Sequence, residues 1–286
     1  MTTVLKSPAK INLGIAIKSI LPNGWHEIDN VFHAIPAYDI LEVELMENKI
    51  IEITCNDPEV PTDQNNFLHK VFIIMADKAK YGGGIKINLI KKLPIGSGLG
   101  GGSLNASTLI KFLNEHWQLN LSKEQLIEIA KNISSDVVFN IFSDCAFETK
   151  HGLKENGELE ILPSLKNCAM VIVWPETFIS IQDAYKIIDE NFEPSTYQIE
   201  NLVEALREQN FANICKHIHN DFEKKISEHY PVVRELKTKF ENLQADGISM
   251  SGKGPAIYGL YQDKNLAKKA FVELSKKHKH IWNVEF

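Results

Sequence analysis

The chain has 286 residues, of which 44% are hydrophobic and 24% charged, a composition typical of a globular protein with one large domain or two small ones. Its net charge of −6 disfavours nucleic acid as the main partner. The four cysteines form no CxxC pair, the first residues lack a secretory signal, and no apolar segment approaches the length of a membrane span. We therefore expect a cytoplasmic protein with reduced cysteines and no membrane partner.

The first predicted element is a strand near the N-terminus. Apolar or small residues alternate with other residues from Ala9 to Ile17, and Lys10 and Asn12 lie between them. This period of two predicts a half-buried strand on which Lys10 and Asn12 project from the same face. Further strands are predicted at Ile40–Leu45, Ile51–Cys55 and Ile85–Leu89. The N-terminal part is therefore expected to be rich in β-hairpins.

Helical patterns follow these strands. One helix is predicted from Asn66 to about Lys80, a second should begin near Ser103, and Ser122 with Gln125 has the spacing of a capping box. The second half is predicted to contain a buried strand, three helices, another strand and a last helix, at Ala169–Trp174, Ile199–Asn210, Ala212–Lys225, Val232–Leu243, Ala256–Tyr261 and Leu266–Lys277. We predict two domains, 1–161 and 162–286, without a disordered linker between them.

A glycine-rich stretch, KKLPIGSGLGGGSLNAS, connects a predicted strand to a predicted helix. In this arrangement backbone N–H groups can converge on an anion at the helix N-terminus, so the stretch is better interpreted as a phosphate loop than as a linker. No lysine follows the last glycine as in a Walker A loop, and the hairpin-rich start does not suit a dinucleotide-binding unit. The His-Arg-Asp and Asp-Phe-Gly motifs of protein kinases are also missing from the sequence.

The remaining pattern is Pro-x-x-x-Gly-Leu-Gly followed by small residues, from Pro94 to Ser103. It resembles the ATP loop of the GHMP kinases, the small-molecule kinases that include galactokinase, homoserine kinase and mevalonate kinase. The longer form Gly-Leu-Gly-Gly-Gly-Ser-x-Asn-Ala resembles one branch, which acts on 4-diphosphocytidyl-2-C-methyl-D-erythritol in the non-mevalonate isoprenoid pathway. Four other segments resemble the same branch, in order along the chain: Ser7–Leu13, Asn23–His26, Ser135–Val137 and Met250–Pro255.

The resemblance implies an α+β, two-domain GHMP kinase fold, with an N-terminal domain like ribosomal protein S5 domain 2 and a ferredoxin-like C-terminal domain. It implies ATP and Mg²⁺ as cofactors, phosphorylation of the substrate's 2-hydroxyl, and a monomer or homodimer. One alternative is a kinase of another small alcohol, homoserine or mevalonate; Trp25 and His26 argue against it, because those substrates have no base to stack. Another is a catalytically silent nucleotide-binding regulator, whose expected mark is loss of Lys10 or Asp136. Both residues are present.

The resemblance also assigns roles to residues. Asp136 would be the catalytic base that accepts the hydroxyl proton, and Lys10 would hold Asp136 ionised and neutralise developing charge. Substrate binding falls to Asn12 for the erythritol part and to Trp25, His26 and Tyr185 for cytosine. Nucleotide binding falls to Asn66, Lys91, Pro94, Gly96, Ser97, Gly98, Leu99, Gly100, Gly101, Gly102, Ser103 and Asn105.

Several of these assignments have a structural alternative. Ser103 is expected to cap its helix and also to offer a hydroxyl to the phosphates or Mg²⁺, while Asn66, Lys91, Pro94 and Asn105 could equally be turn or surface residues. The chain also departs from the branch pattern at four positions. Ser134 replaces a glycine, Val138 a proline and Lys253 a serine, and Ile181 takes a position that is often polar.

Overall fold

The structure is a computed structural model that describes residues 1–151 and 158–286, except the side chains of Ser135 and His151. Its contacts divide the chain into two compact units. Unit 1 consists of Met1–Lys10, Pro36–Ile95 and Gly100–Ser143, and unit 2 consists of Ile11–Ile35, Gly96–Leu99 and Asp144–Phe286. The units alternate along the sequence, and the domain boundary after residue 161 stays a prediction.

The strands of the described part of the chain are β1 Thr3–Ile20, β2 His26–Met46, β3 Ile51–Cys55, β4 Gly84–Ile90, β5 Cys145–His151, β6 Leu159–Ile161, β7 Ala169–Trp174, β8 His219–Asn220, β9 Gly247–Met250, β10 Ile257–Tyr261 and β11 His280–Glu285. Its helices are α1 Phe67–Ala79, α2 Gly101–His116, α3 Lys123–Ile133, α4 Ser135–Phe142, α5 Ile181–Asp189, α6 Ile199–Arg207, α7 Phe211–His217, α8 Asp221–His229, α9 Pro231–Asn242 and α10 Lys264–Ser275. None of these helices is long and apolar enough to cross a membrane.

Unit 1 packs helices onto a small sheet. The second half of β2 pairs antiparallel with β4, and β3 pairs parallel with β4. Alternation along these strands buries one apolar face, which includes Leu41, Val43, Ile85 and Ile87. Helices α1, α2, α3 and α4 pack against one another, and the predicted capping box of Ser122 with Gln125 is confirmed at the start of α3.

The prediction that the first strand is half-buried is wrong, because every residue of β1 from Ala9 to Ile17 is buried. In the unit 2 part of the strand, Gly14 lies against Ile199 and Leu202 of α6, and a Cβ at Gly14 would stand 2.8 Å from Leu202 Cδ2. A helix therefore covers the face that alternation predicted to be solvated. Polar residues in the sequence show where hydrogen-bond partners are needed, but they do not show whether protein or solvent supplies those partners.

Unit 2 contains a four-stranded antiparallel sheet in the order β11-β7-β10-β9. Helices separate β7 from β9 and β10 from β11, which gives the β-α-β-β-α-β pattern of a ferredoxin-like domain. The apolar run of β7 is completely buried up to Trp174, as the sequence predicts. The α+β, two-domain GHMP kinase fold is confirmed, although β5, β6, β8, β9 and β11 were not predicted as strands.

A predicted helix from Ala212 to Lys225 is wrong, because two helices and a short strand occupy this stretch. Helix α7 ends at His217, and β8 pairs parallel with β1 at Gly14 and Ile15 before α8 begins at Asp221. The Asp221 carboxylate accepts a hydrogen bond of 2.7 Å from the Ile17 backbone N–H. Pairing with a distant strand therefore overrides the local helical pattern.

Candidate active site

The glycine loop ends in an uncapped helix N-terminus. Helix α2 begins at Gly101 after Gly100, which has φ 70° and provides no side-chain cap. The expectation that Ser103 caps this helix is therefore wrong: Ser103 lies in the first turn, and its hydroxyl donates to Ser134 Oγ at 3.3 Å. The first N–H groups of a helix have no intrahelical acceptor, so those of residues 101–103 can bind an anion.

At Gly98 and Gly100 the loop has no room for a side chain. A Cβ at Gly98, where φ is 82°, would stand 2.1 Å from the Ser251 carbonyl oxygen. A Cβ at Gly100 would stand 2.7 Å from Lys10 Cγ. Gly102, by contrast, has no atom within 4 Å of its Cβ position. The loop is therefore packed tightly at Gly98 and Gly100 and leaves open space beside the first turn of α2.

The two predicted catalytic residues belong to unit 1 and flank the first turn of α2. Lys10 is 4% exposed, and its side chain lies along Gly100. Asp136 is in the first turn of α4, and the hydrogen bond between Ser103 and Ser134 joins the starts of α2 and α4. The arrangement brings a lysine and an aspartate to the helix that begins at the glycine loop. Their catalytic roles stay predictions.

The departures at Ser134 and Val138 leave a regular backbone around Asp136. Ser134 has φ −167° and ψ 149°, an extended conformation that any residue adopts and that requires no glycine. Val138 lies inside α4 and is buried. The segment that carries Asp136 therefore forms a helix without the glycine and proline of the branch pattern.

A buried ion pair lies beneath the start of α2. Asp39, on β2, is completely buried and accepts hydrogen bonds from Lys91 Nζ at 2.5 Å and Asn105 Nδ2 at 3.1 Å. The backbone N–H groups of Lys92 and Leu93 also donate to Asp39. A Cβ on Gly101 would stand 2.8 Å from Lys91 Nζ. Lys91 and Asn105 are therefore bound to Asp39 behind the loop.

Sequence reasoning missed Asp39, although one signal was present. In the strand-like run HAIPAYDILEVEL, alternation puts Asp39 on the face of the apolar residues Leu41 and Val43, whereas Glu42 and Glu44 fall on the other face. The side chain of Asn66 also has a structural role: its Oδ1 accepts from Leu68 N at 2.9 Å to cap α1, and its Nδ2 donates to Pro61 O at 2.7 Å. Pro94 is half-buried and Ser97 and Leu99 are buried. Nucleotide contacts by these residues stay predictions.

Unit 2 carries a cluster of aromatic side chains. His26 is 7% exposed and stacks on Tyr185 with ring centroids 4.5 Å apart, and its Nε2 lies 2.7 Å from Asp189 Oδ1. Tyr185 and Asp189 are one turn apart on α5, so a single helix face holds His26 by stacking and by a hydrogen bond. Asp189 was not predicted, and its four-residue spacing from Tyr185 is the signal that could have indicated it.

The other predicted substrate residues lie in different environments. Trp25 is 56% exposed, as a ring that stacks on a ligand requires before binding. Asn12 is buried, and its Nδ2 donates to Asn30 Oδ1 at 2.8 Å. Ile181 is exposed at the start of α5, and Lys253 Nζ lies 4.5 Å from the Tyr185 ring centroid.

Within residues 1–151 and 158–286, no group of three His, Cys, Asp or Glu side chains could hold a metal ion. Mg²⁺ in phosphoryl-transfer sites generally takes only one or two protein carboxylates and otherwise binds phosphates and water. The groups near the start of α2 that could contribute are the Ser103 hydroxyl and the Asp136 carboxylate.

These features define the class of protein. Residues 66–146 match the family described as GHMP kinases N terminal domain, and residues 202–280 match GHMP kinases C terminal. Together with the glycine loop and the two-domain α+β fold, these matches show that the chain belongs to the GHMP kinase family.

Curated relatives narrow the comparison within the family. The chain is 33% identical to 4-diphosphocytidyl-2-C-methyl-D-erythritol kinase of Caldicellulosiruptor bescii over 267 residues, 93% of this chain and 92% of that one. It is 34% identical to the protein of the same name in Chlorobium chlorochromatii over 269 residues, 94% and 92% of the two chains.

Solved structures show the fold alone. A crystal structure of 4-(cytidine 5'-diphospho)-2C-methyl-D-erythritol kinase matches with a TM-score of 0.79 at 24% identity, over 99% of this chain and 98% of that one. Homoserine kinase from Cytophaga hutchinsonii matches with a TM-score of 0.80 at 19% identity, over 99% and 94%. The fold therefore does not distinguish between these substrates.

Proposed function

We propose that this chain transfers the γ-phosphoryl group of ATP to the 2-hydroxyl of 4-diphosphocytidyl-2-C-methyl-D-erythritol. Membership of the GHMP kinase family and the names of the relatives support this reaction. The structural observation that carries it is the stacked pair of His26 and Tyr185. Homoserine and mevalonate offer no base to such a pair, whereas a cytidyl substrate does.

The glycine loop is the proposed site for the ATP phosphates. The N–H groups of residues 101–103 lie in the uncapped first turn of α2 and have no intrahelical acceptor, and the helix dipole of α2 favours an anion there. Lys10 adds a nearly buried ammonium beside Gly100, in a position suited to neutralise charge that develops on the moving phosphoryl group.

Asp136 is the proposed acceptor of the hydroxyl proton. In a loose transition state the attacking hydroxyl loses its proton late, so the carboxylate contributes mainly by orienting the nucleophile. The first turn of α4 favours the ionised carboxylate, because the positive end of the helix dipole lies there. Mg²⁺, when bound, would neutralise phosphate charge, and the Ser103 hydroxyl is a proposed ligand.

The substrate side of the proposal rests on unit 2. His26 would hydrogen-bond cytosine, and Trp25 and Tyr185 would provide ring surfaces for stacking. The Asp189 carboxylate accepts a hydrogen bond from His26 Nε2–H, so Nδ1 is the ring nitrogen that can bind a base. Asn12, whose amide is already ordered by Asn30, would contact the erythritol part.

A cytoplasmic location and a monomeric or homodimeric state belong to the same proposal. Both substrates are polyanionic nucleotides that do not cross a membrane unaided, so the reaction is expected where ATP is made.

Release of ADP with different acceptor alcohols tests the proposal. We expect turnover with 4-diphosphocytidyl-2-C-methyl-D-erythritol and none with homoserine or mevalonate at equal concentration. The matched blank is the Asp136→Asn protein purified in the same way, which reports contaminating kinases. Turnover of homoserine or mevalonate in the absence of turnover with the cytidyl compound would make the substrate assignment wrong.

A further inference from the structure

Lys253 lies in a loop whose backbone is fixed against the glycine loop. This loop, Ser251–Pro255, follows β9, and the Ser251 hydroxyl donates to Gly98 O at 3.0 Å. Just beyond it, the Ala256 backbone N–H donates to Ser97 O at 3.2 Å. Since a Cβ at Gly98 would collide with the Ser251 carbonyl, these two loops are in direct contact. The backbone around Lys253 is therefore held against Ser97 and Gly98 of the glycine loop.

The tip of the Lys253 side chain lies at the aromatic cluster, whereas its backbone lies in the loop that contacts Gly98. Its Nζ lies 4.5 Å from the centroid of the Tyr185 ring, and Tyr185 in turn stacks on His26. Lys253 thus extends from the loop that touches Gly98 to the aromatic pair proposed to hold cytosine. A serine, the residue of the branch pattern, is too short to span this distance.

The contact with Tyr185 places the Lys253 ammonium at the aromatic pair. A charge-assisted hydrogen bond from an ammonium to a phosphate oxygen is stronger than a cation–π contact. The flexible lysine stem would let Nζ move from the ring face to a phosphate group bound nearby.

The proposed substrate carries negative charge that none of the predicted substrate-binding residues neutralises. Cytidine is joined to the methylerythritol part through a diphosphate, but Asn12, Trp25 and Tyr185 are neutral, and His26 is held by Asp189. A ligand whose base stacks at the aromatic pair carries its phosphates within a few bonds of that pair, where Nζ already lies.

We infer that Lys253 is a binding residue for the diphosphate of a cytidine diphosphate substrate, which extends the recognition site beyond the base. The inference rests on the proposed function, because the base must occupy the aromatic pair. The ATP phosphates are the competing ligand. The backbone of the Lys253 loop faces Gly98, whereas the ammonium faces Tyr185, and this favours the acceptor substrate.

Binding of three probes to the intact protein tests the inference. Titration calorimetry would compare CDP, cytidine and a non-hydrolysable ATP analogue for the wild type and Lys253→Met. We expect Lys253→Met to weaken CDP about tenfold while cytidine and the ATP analogue change less than about twofold. Lys253→Arg should keep CDP affinity within about threefold, since it keeps the charge. Lys268→Met, at an exposed lysine on α10, is the matched control and should change none of the three.

Four outcomes would overturn the inference. Equal weakening of CDP and cytidine would mean that Lys253 acts through the aromatic pair, and a larger loss for the ATP analogue would assign it to the other phosphates. Unchanged CDP affinity of Lys253→Met, in an enzyme that still phosphorylates the cytidyl substrate, would overturn the inference alone. A wild type that binds no CDP and turns over no cytidyl substrate would overturn the proposed function with it.

Discussion

A single buried carboxylate changes the interpretation of two residues that the sequence assigned to nucleotide. Asp39 binds both Lys91 and Asn105, so these side chains support the loop from behind. The sequence could show that Lys91 and Asn105 flank the glycines. It could not show that a residue more than fifty positions earlier supplies their acceptor, because that contact depends on how β2 pairs with β4.

We expect Asp39→Asn to lower the free energy of unfolding by about 3–5 kcal/mol, because Asn fills the same space but leaves the Lys91 ammonium buried without a counter-charge. Urea unfolding followed by circular dichroism measures the loss. Adding Lys91→Met should recover most of it, since the unpaired charge is then gone.

The control for this prediction is Glu52→Gln, which breaks the exposed ion pair between Glu52 and Lys86 on neighbouring strands. Solvent screens that pair, so its loss should leave unfolding unchanged within error. Equal effects of Asp39→Asn and Glu52→Gln would contradict a supporting role for Asp39.

Among the elements, the glycine loop and α2 are where we expect a substitution to change ligand binding without impairing folding. Gly102 lies in the first helical turn with open space at its Cβ position. We expect Gly102→Ala to leave folding intact or to stabilise it by up to about 1 kcal/mol. Affinity for ATP should fall at least about tenfold, because the methyl group enters the space proposed for phosphate. Thermal unfolding and ATP titration measure the two effects.

Gly82→Ala is the matched control for this prediction, since Gly82 also has open space at its Cβ position but lies at the opposite end of β4 from the loop. It should not change ATP affinity. If Gly102→Ala binds ATP as tightly as the wild type, phosphate does not lie beside the first turn of α2.

How far elements can be predicted from sequence depends on the range of the interactions that fix them. The capping box of α3 and the apolar run of β7 follow from neighbouring residues, and both predictions are confirmed. The start of α2 was placed too late, because the left-handed backbone at Gly100 ends the loop before Ser103. The interruption at β8 follows from pairing with β1, about two hundred residues away, which no local pattern reports.

At the scale of the whole molecule, His33 links stability to pH. It is buried as a neutral ring that donates from Nδ1 to Ala34 O at 2.6 Å and accepts from Leu165 N at 2.9 Å on Nε2. A proton on Nε2 would face the Leu165 N–H donor, and burial lowers the pKa of His33 from 6.5 to about 4.

Acidification should therefore destabilise the protein through His33. Between pH 6.5 and 4 the unfolded chain binds a proton at His33 that the folded chain does not, so stability falls as pH falls through this range. The pKa difference corresponds to roughly 3 kcal/mol at pH 4. Urea unfolding of the wild type and His33→Gln at several pH values measures the His33 contribution as the difference between the two free energies of unfolding. Parallel pH profiles of the two proteins would contradict it.

In the candidate site, too, some features follow from a local sequence motif and others from contacts between residues that are distant in the sequence. The loop motif identified the class of kinase, and both predicted catalytic residues lie beside the helix that follows it. The partners of Asp189, Asp39 and Lys253, which are His26, Lys91 and Tyr185, emerge only from the folded chain. They bring together residues that are tens to more than a hundred positions apart, and no single motif contains both partners.

The proposed phosphoryl transfer can be observed by phosphorus NMR of a reaction that contains ATP, Mg²⁺, the purified protein and 4-diphosphocytidyl-2-C-methyl-D-erythritol. The wild type should form one new phosphomonoester, on the 2-hydroxyl, for each ADP released. Asp136→Asn should bind an ATP analogue within about twofold of the wild type but form the ester at least about a hundredfold more slowly. ADP with free phosphate instead of the ester, or unchanged ester formation by Asp136→Asn, would contradict the account.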